Sequence, residues 1–149
     1  MIKSIVVGTD GSETAQRAVG FALDLSERFG ARLIPASAYV PEPDRKLRAA
    51  REEAPPDVQW TINPSGAVDA MLREVEDSAL ARGVEATSVA RTGDPADVLC
   101  EVASDYGADV VVVGSKGMHR RLLGSVPNTV SHRARCSVMI VKTEDEEEA

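Results

Sequence analysis

The stretch Ala108-Asp-Val-Val-Val-Val-Gly114-Ser-Lys-Gly117 decides the fold, together with Gly124-Ser125-Val126 shortly after it. Four consecutive valines without polar alternation predict a strand that is buried on both faces, as in a parallel sheet. The glycines end this strand, and Ser125 can cap the helix that is predicted to follow. A strand, a glycine turn and a helix N-terminus in this order are typical of an anion site, because free backbone N–H groups point at the ligand.

Basic residues are concentrated in the same stretch, in a chain whose formal net charge is -7. They are Lys116, His119, Arg120 and Arg121. A local cationic cluster on an acidic protein indicates a small anionic ligand. The sequence pI near 4.9 argues against general binding to nucleic acid or to an anionic membrane surface.

Size and composition indicate one folded domain. The chain has 149 residues, of which 43% are hydrophobic and 28% charged, a balance typical of globular proteins. We expect the domain to span residues 1–143, followed by a solvated acidic tail at 144–149. Two distant cysteines and a start without a secretory signal pattern predict a cytoplasmic protein, and no apolar run approaches the ~20 residues of a membrane span.

Hydrophobic periodicity predicts strands that alternate with helices. The strands are predicted at Ile2–Val7, Leu33–Val40, Val84–Arg91, Val110–Val113 and Cys136–Lys142, and helices at about 12–29, 67–79, 94–103 and 125–134. Such alternation builds a parallel sheet with helices on both faces. If the first and fourth strands are neighbours, the turns 8–12 and 114–125 face each other across one crevice.

Two places depart from this regular pattern. Pro35 lies inside the second strand and cannot donate to a strand ladder, so we expect a bulge there or a late start to regular pairing. Residues 41–65 are rich in proline and are predicted to form a long irregular excursion.

The sequence resembles the universal stress protein family over nearly its whole length. The resemblance depends on Val6-Val-Gly-Thr-Asp-Gly-Ser12, Gly93-Asp-Pro95, the valine–glycine stretch, Gly124-Ser-Val126 and Cys136-Ser-Val-Met-Ile-Val141, in that order and spacing. It implies an α/β fold of the adenine-nucleotide alpha-hydrolase type: a five-stranded parallel sheet, order 3-2-1-4-5, sandwiched by helices. It also implies a homodimer, which we expect to pair through the last strand at Val138, Met139, Ile140 and Val141.

One branch of that family binds ATP, and some members bind cyclic AMP, in the predicted crevice. The resemblance implies nucleotide contacts at Gly8, Thr9, Asp10, Ala38, Gly114, Ser115, Lys116, Gly117, Gly124, Ser125 and Val126, with Asp10 on the ribose or on a metal such as Mg²⁺. The ATP-binding signature is Gly-x2-Gly-x9-Gly-Ser/Thr, whereas only six residues separate Gly117 from Gly124. Lys116, Arg120 and Arg121 can compensate for the shorter loop with charge.

Three functions are compatible with these sequence features. The first is a nucleotide-binding stress or signalling protein with at most incidental ATP hydrolysis. The second is a dimeric interaction protein that needs no nucleotide, which the short loop favours. The third, an enzyme, has least support, because no catalytic triad and no P-loop are present. His119 and His132 have no second ligand at metal spacing, which argues against a histidine metal site.

Overall fold

Five parallel strands form one sheet in the order β3-β2-β1-β4-β5, which confirms the predicted fold class. The computed structural model describes residues 1–39, 64–115 and 125–143. The elements are β1 Ser4–Gly8, α1 Glu13–Phe29, β2 Arg32–Tyr39, α2 Pro64–Ala81, β3 Val89–Thr92, α3 Pro95–Asp105, β4 Val110–Gly114, α4 Ser125–Arg133 and β5 Ser137–Val141. Within these described residues, no helix combines the length and the apolar character that crossing a membrane requires. Residues 41–63 of the predicted excursion at 41–65 lie outside the described residues, and so does the acidic tail at 144–149.

The valine strand β4 contributes to both faces of the sheet. Val110 and Val112 belong to the buried cluster that α1 forms with one face of the sheet, whereas Val111 and Val113 belong to the cluster that α3 and α4 form with the other. All four valines are at most 8% exposed. Because successive side chains of a strand point to opposite faces, an unbroken apolar run suits a strand covered on both sides. The predicted double burial is therefore confirmed.

Capping residues mark both ends of α1 and the start of α3. The Ser12 hydroxyl accepts the Ala15 N–H before α1, and Gly30 ends that helix with φ 66°. The Asp94 carboxylate accepts the N–H groups of Ala96 and Asp97 at the start of α3. These contacts satisfy N–H groups that a helix leaves unpaired at its first turn. Helix α4 differs slightly, because it begins at Ser125 itself.

Strand β3 is shorter than predicted, and Pro35 explains why. An isolated bridge joins Leu33 to Ala86, and regular pairing resumes in the same register at Ala36 and Val89. The Leu33 N–H donates to the Glu85 carbonyl at 2.8 Å. The next donor of β2 toward β3 would be residue 35, and a proline has no N–H. The predicted late start of regular pairing is therefore confirmed, and it affects the pairing of β2 with β3. Strand β2 has no bulge at Pro35, because it pairs with β1 continuously past this residue.

Candidate functional site

The strand order places a crevice between β1 and β4. These two strands are adjacent and parallel, with Ile5 opposite Val110 and Val7 opposite Val112. The chain passes from β1 to β2 on one side and from β4 to β5 on the other, so the winding reverses between them. In open α/β sheets, ligands bind at such a switch point, outside the carboxyl ends of the strands.

A cavity of about 180 Å³ occupies this position. Six of the predicted site residues line it, namely Gly8, Thr9, Asp10, Ala38, Gly114 and Val126. The structure therefore brings together residues from the two glycine turns, which are more than one hundred positions apart in sequence. The cavity is smaller than the roughly 300–1,000 Å³ of sites that enclose a drug-sized ligand.

Other lining residues were not predicted. They include Thr14 and Ala15 of α1, Pro95 and Leu99 of α3, Pro127 of α4, and Thr143. One signal could have identified several of them. Segments that directly follow parallel strands all emerge at the same edge of the sheet, so Thr143 after β5 and Pro95 after β3 must lie near the glycine turns.

The cavity lining is mostly apolar. Alanine, valine, leucine and proline side chains make up most of it, whereas Thr9, Asp10, Thr14 and Thr143 supply three hydroxyls and one carboxyl group. Apolar walls with a few convergent polar groups are typical of sites for small organic ligands. The arrangement suits a weakly polar ring system that carries hydroxyl groups.

Hydrogen bonds to the backbone hold the turn at residues 8–12 in place. The Thr9 N–H donates to the Ala36 carbonyl at 3.0 Å, and its hydroxyl accepts the Gly11 N–H at 3.2 Å. Asp10 Oδ1 accepts the Ser12 N–H at 3.0 Å, which fixes the carboxylate beside the cavity. Gly11 has φ 81°, a conformation that glycine adopts without strain. The turn therefore presents Asp10 in a defined position.

Gly8 and Gly114 permit close approaches that a larger residue would prevent. A Cβ atom at position 8 would lie 2.8 Å from Leu99 Cδ1, and one at position 114 would lie 2.9 Å from Thr143 Cγ2. Both distances are shorter than the ~3.5–4.0 Å of favourable carbon contacts. These glycines thus let α3 and Thr143 close against the ends of β1 and β4.

Thr143 lines the cavity, although the sequence places it only at the end of the predicted domain, next to the acidic tail. It is 1% exposed and lines the cavity. Its backbone N–H donates to the Ser115 hydroxyl at 3.0 Å, and its carbonyl accepts from Arg17 Nη1 at 3.1 Å. These contacts join the ends of β4 and β5 to the first half of α1.

Ser115, which is predicted to contact the nucleotide, is buried beside Thr143. It is 2% exposed, its hydroxyl lies 3.4 Å from Thr143 Oγ1, and its N–H donates to the Val141 carbonyl at 2.9 Å. It is not among the residues that line the cavity. Its hydroxyl positions Thr143 instead.

The remaining predicted contacts are only partly described. Ser125 is exposed at the first residue of α4, and Val126 beside it lines the cavity. Lys116, Gly117, Arg120, Arg121 and Gly124 lie outside the described residues. Asp10 remains the predicted metal-contacting residue. In residues 1–39, 64–115 and 125–143, no group of three or more His, Cys, Asp or Glu side chains could hold a metal ion.

Neither cysteine belongs to the cavity. Burial raises the pKa of the Cys100 thiol and that of the Cys136 thiol above their ordinary value. A raised pKa keeps a thiol protonated near neutral pH, whereas a nucleophilic cysteine needs the thiolate. Both side chains instead pack against the core beneath α3 and α4.

Comparisons with known proteins agree with this geometry. The family profile described as "Universal stress protein family" matches residues 1–142. A universal stress protein of Mycobacterium tuberculosis is 37% identical over 147 residues, which cover 95% of this chain and 97% of that one.

Two solved structures extend the comparison. A universal stress protein in complex with cyclic AMP is 35% identical, with a TM-score of 0.71 and coverage of 96% of this chain and 98% of that chain. An Arabidopsis thaliana family member with AMP bound has a TM-score of 0.72 at 20% identity, with coverage of 99% and 95%, and shows the shared fold.

Proposed function

Because the chain belongs to the universal stress protein family, we propose that it binds an adenine nucleotide between the ends of β1 and β4. The observation that carries this proposal is the cavity at the switch point, with its mostly apolar lining and a few hydroxyl groups. The cyclic AMP complex of the 35% identical relative supports the choice of ligand class. We place the base against the apolar lining and the sugar beside the polar groups.

The charge of Asp10 determines the orientation of the ligand. An ionised carboxylate accepts hydrogen bonds and cannot donate them, so it pairs with a ribose hydroxyl and repels a phosphate. We therefore place the ribose beside Asp10 and the phosphate toward the start of α4, at Ser125 and Val126. Pro127 follows them in the first turn and has no N–H to offer an anion. Few backbone donors remain there for an extended phosphate chain.

These features favour a nucleotide with one phosphate, and we propose cyclic AMP ahead of ATP. The cavity of about 180 Å³ is small, and the loop between Gly117 and Gly124 is three residues shorter than the ATP-binding pattern. ATP with Mg²⁺ is the alternative, in which the cation would bridge Asp10 and the phosphates. We further propose that the protein binds the nucleotide without catalysing a reaction. It would act in the cytoplasm, in a stress response or in signalling.

We also propose a homodimer through β5. This strand is at the edge of the described sheet, and residues 138–141 are each only partly buried. An apolar edge strand is commonly covered by another chain, because its unpaired N–H and C=O groups otherwise invite uncontrolled pairing. Two-fold pairing of Val138, Met139, Ile140 and Val141 would cover it. Analytical ultracentrifugation at micromolar concentration tests the proposal, and a monomer alone would contradict it.

Calorimetric titration of the full chain with cyclic AMP, AMP, ADP and ATP, with and without Mg²⁺, tests nucleotide binding. We expect cyclic AMP to bind and Ala38→Trp to abolish binding, because the indole would occupy the cavity. Leu80→Trp is the matched control, since Leu80 is 77% exposed on α2 and outside the cavity lining. Thermal unfolding checks that both variants fold. No heat of binding with any nucleotide would overturn the proposal and favour the nucleotide-independent interaction protein.

A further inference from the structure

Both phenylalanines of the chain, Phe21 and Phe29, lie on the surface of α1. Their side chains are 45% and 48% exposed, whereas the buried clusters on the two faces of the sheet consist of alanine, valine, isoleucine and leucine. An aromatic ring stabilises a protein most where it is removed from water. Large apolar side chains that are grouped on a surface therefore indicate a contact with another molecule.

Phe21, Leu25 and Phe29 form one row along α1, which we call the α1 row. Residues four apart lie above one another on the same face of a helix. Leu25 is partly buried against the cluster beneath α1, and Met139 and Val141 of β5 pack against that same cluster. The α1 row therefore joins the exposed surface of α1 to the apolar residues of β5.

Two polar contacts fix the direction of the α1 row. Arg17 lies four residues before Phe21, and its Nη1 donates to the carbonyl of Thr143 at 3.1 Å, just after β5. The other flank of α1 faces α2, where Asp24 and Glu27 form ion pairs with Arg82. The α1 row is thus on the flank beside β5. Four helix residues rise ~6 Å and two strand residues ~6.6 Å, so the row keeps step with alternate residues of β5.

Strand β5 alone is small for a stable interface. It has five residues, whereas each side of a stable protein–protein interface contains ~20–30 residues. A second copy that pairs with β5 must therefore also cover neighbouring surface. We infer that the α1 row is a further part of the homodimer interface and that a second copy of this chain covers it. The inference rests on the proposed pairing through β5 and adds α1 to that interface.

Two-fold symmetry makes the α1 row self-complementary. Antiparallel pairing of β5 with its copy, about an axis perpendicular to the sheet, brings α1 of both protomers to the same face of one continuous sheet. Helix α1 packs mainly on β1 and β4, and Met139 and Val141 are only partly buried. A trough therefore remains above the two β5 strands, between the two α1 helices. The phenylalanine rings of both copies fill this trough and cover Met139 and Val141.

Analytical ultracentrifugation of the parent chain and of Phe21→Gln tests the inference. Glutamine is a good helix former, so the change removes the ring and keeps α1 intact. We expect the dissociation constant of the dimer to rise at least about tenfold, because a two-fold interface loses the ring twice. Leu80→Gln is the matched control. Leu80 is 77% exposed on α2, which packs on β2 and β3, so this variant should dimerise like the parent chain.

The outcomes separate the α1 row from the pairing through β5. A dimer with the same dissociation constant in the parent chain and in Phe21→Gln would overturn the inference and leave the β5 pairing intact. A parent chain that stays monomeric at micromolar concentration would overturn both. Thermal unfolding under conditions that keep all variants monomeric tests whether another segment of the same chain covers the row. A Tm of Phe21→Gln below that of Leu80→Gln, without a change in dimerisation, would also overturn the inference.

Discussion

Leu99 contacts the end of β1 so closely that a Cβ atom at position 8 would lie 2.8 Å from its Cδ1 and 3.0 Å from its Cδ2. Leu99 is 5% exposed and belongs to the core between α3 and the sheet. Gly8 and Leu99 also both line the cavity. The absence of a side chain at position 8 thus determines both how α3 packs and the shape of the cavity.

Gly8→Ala should therefore weaken nucleotide binding and lower the free energy of unfolding by about 1–3 kcal/mol, the usual cost of overpacking a core. Gly20→Ala is the matched control. Gly20 lies in α1 with open space around its Cα hydrogens, so this variant should gain about 0.5–1 kcal/mol from helix propensity. Urea unfolding measures the free energy of unfolding of both variants. Equal stabilities of the two variants would contradict the contact with Leu99.

Gly114→Ala should destabilise the chain through Thr143, because its Cβ would lie 2.9 Å from Thr143 Cγ2. Thr143→Ser removes that methyl group and keeps the hydroxyl. We expect the double variant to be more stable than the sum of the single changes predicts, by about 0.5–3 kcal/mol, as residues in contact usually show. The free energy of unfolding is measured for the parent chain, the two single variants and the double variant. Strict additivity would mean that Thr143 does not occupy the space beside Gly114.

The hydrogen bonds of the Asp109 carboxylate predict a specific pH dependence of the stability of the protein. Its Oδ2 accepts the N–H groups of Lys3 at 2.7 Å and Ser4 at 3.1 Å, at the start of β1. These bonds hold the pKa of Asp109 below its ordinary value. A carboxyl group with a lower pKa in the folded state stabilises the protein above its unfolded pKa, about 3.9, and this contribution disappears as the pH falls through the folded pKa.

Asp109→Asn should therefore be less stable than the parent chain at pH 6, and the difference should narrow as the pH falls below about 4. Unfolding in urea across this range measures it. A difference that stays constant down to acid pH would show that the carboxylate charge makes no contribution.

Ser26→Ala should stabilise the protein. Ser26 is 1% exposed within α1, and its hydroxyl has no hydrogen-bond partner among the described residues. Removing an unsatisfied buried polar atom recovers about 1–3 kcal/mol of desolvation cost, and alanine also favours the helix. Ser78→Ala in α2 is the control, because that hydroxyl is exposed and donates to the Glu74 carbonyl at 3.0 Å. Calorimetric unfolding should show a higher Tm for Ser26→Ala, and a Tm at or below that of Ser78→Ala would contradict the prediction.

The sequence predicts the sheet well because its signals are local. Valines 110–113 lack polar alternation, and the structure confirms that this strand is buried on both faces. From the residue pattern alone, the neighbouring position of the first and fourth strands could be stated only as a condition, because pairing between distant segments leaves no local signal; the family resemblance implied the strand order. The structure fulfils that condition.

The site was predicted less completely for the same reason. Gly8, Asp10 and Ala38 were identified, whereas Leu99 and Thr143 were not. Leu99 follows a helical apolar pattern that indicates a core residue, and nothing local shows that this core borders a cavity. Thr143 precedes five acidic residues, which made it look solvent-exposed. Its burial depends on the glycine at position 114 and on Arg17, which lies 126 positions away in sequence.

The gap in the ladder at Pro35 divides the sheet into parts of unequal strength. Strand β2 is joined to β1 over five consecutive residue pairs, but to β3 over four pairs and one separate bridge. Strand β3 also lies at one edge of the described sheet and is only partly buried, whereas β1 and β4 are interior strands and almost fully buried. Local opening should therefore begin at the edge, and amides of residues 89–92 should exchange with solvent before those of β1 and β4. The cavity lies at the ends of the two interior strands, away from the edge where this opening begins.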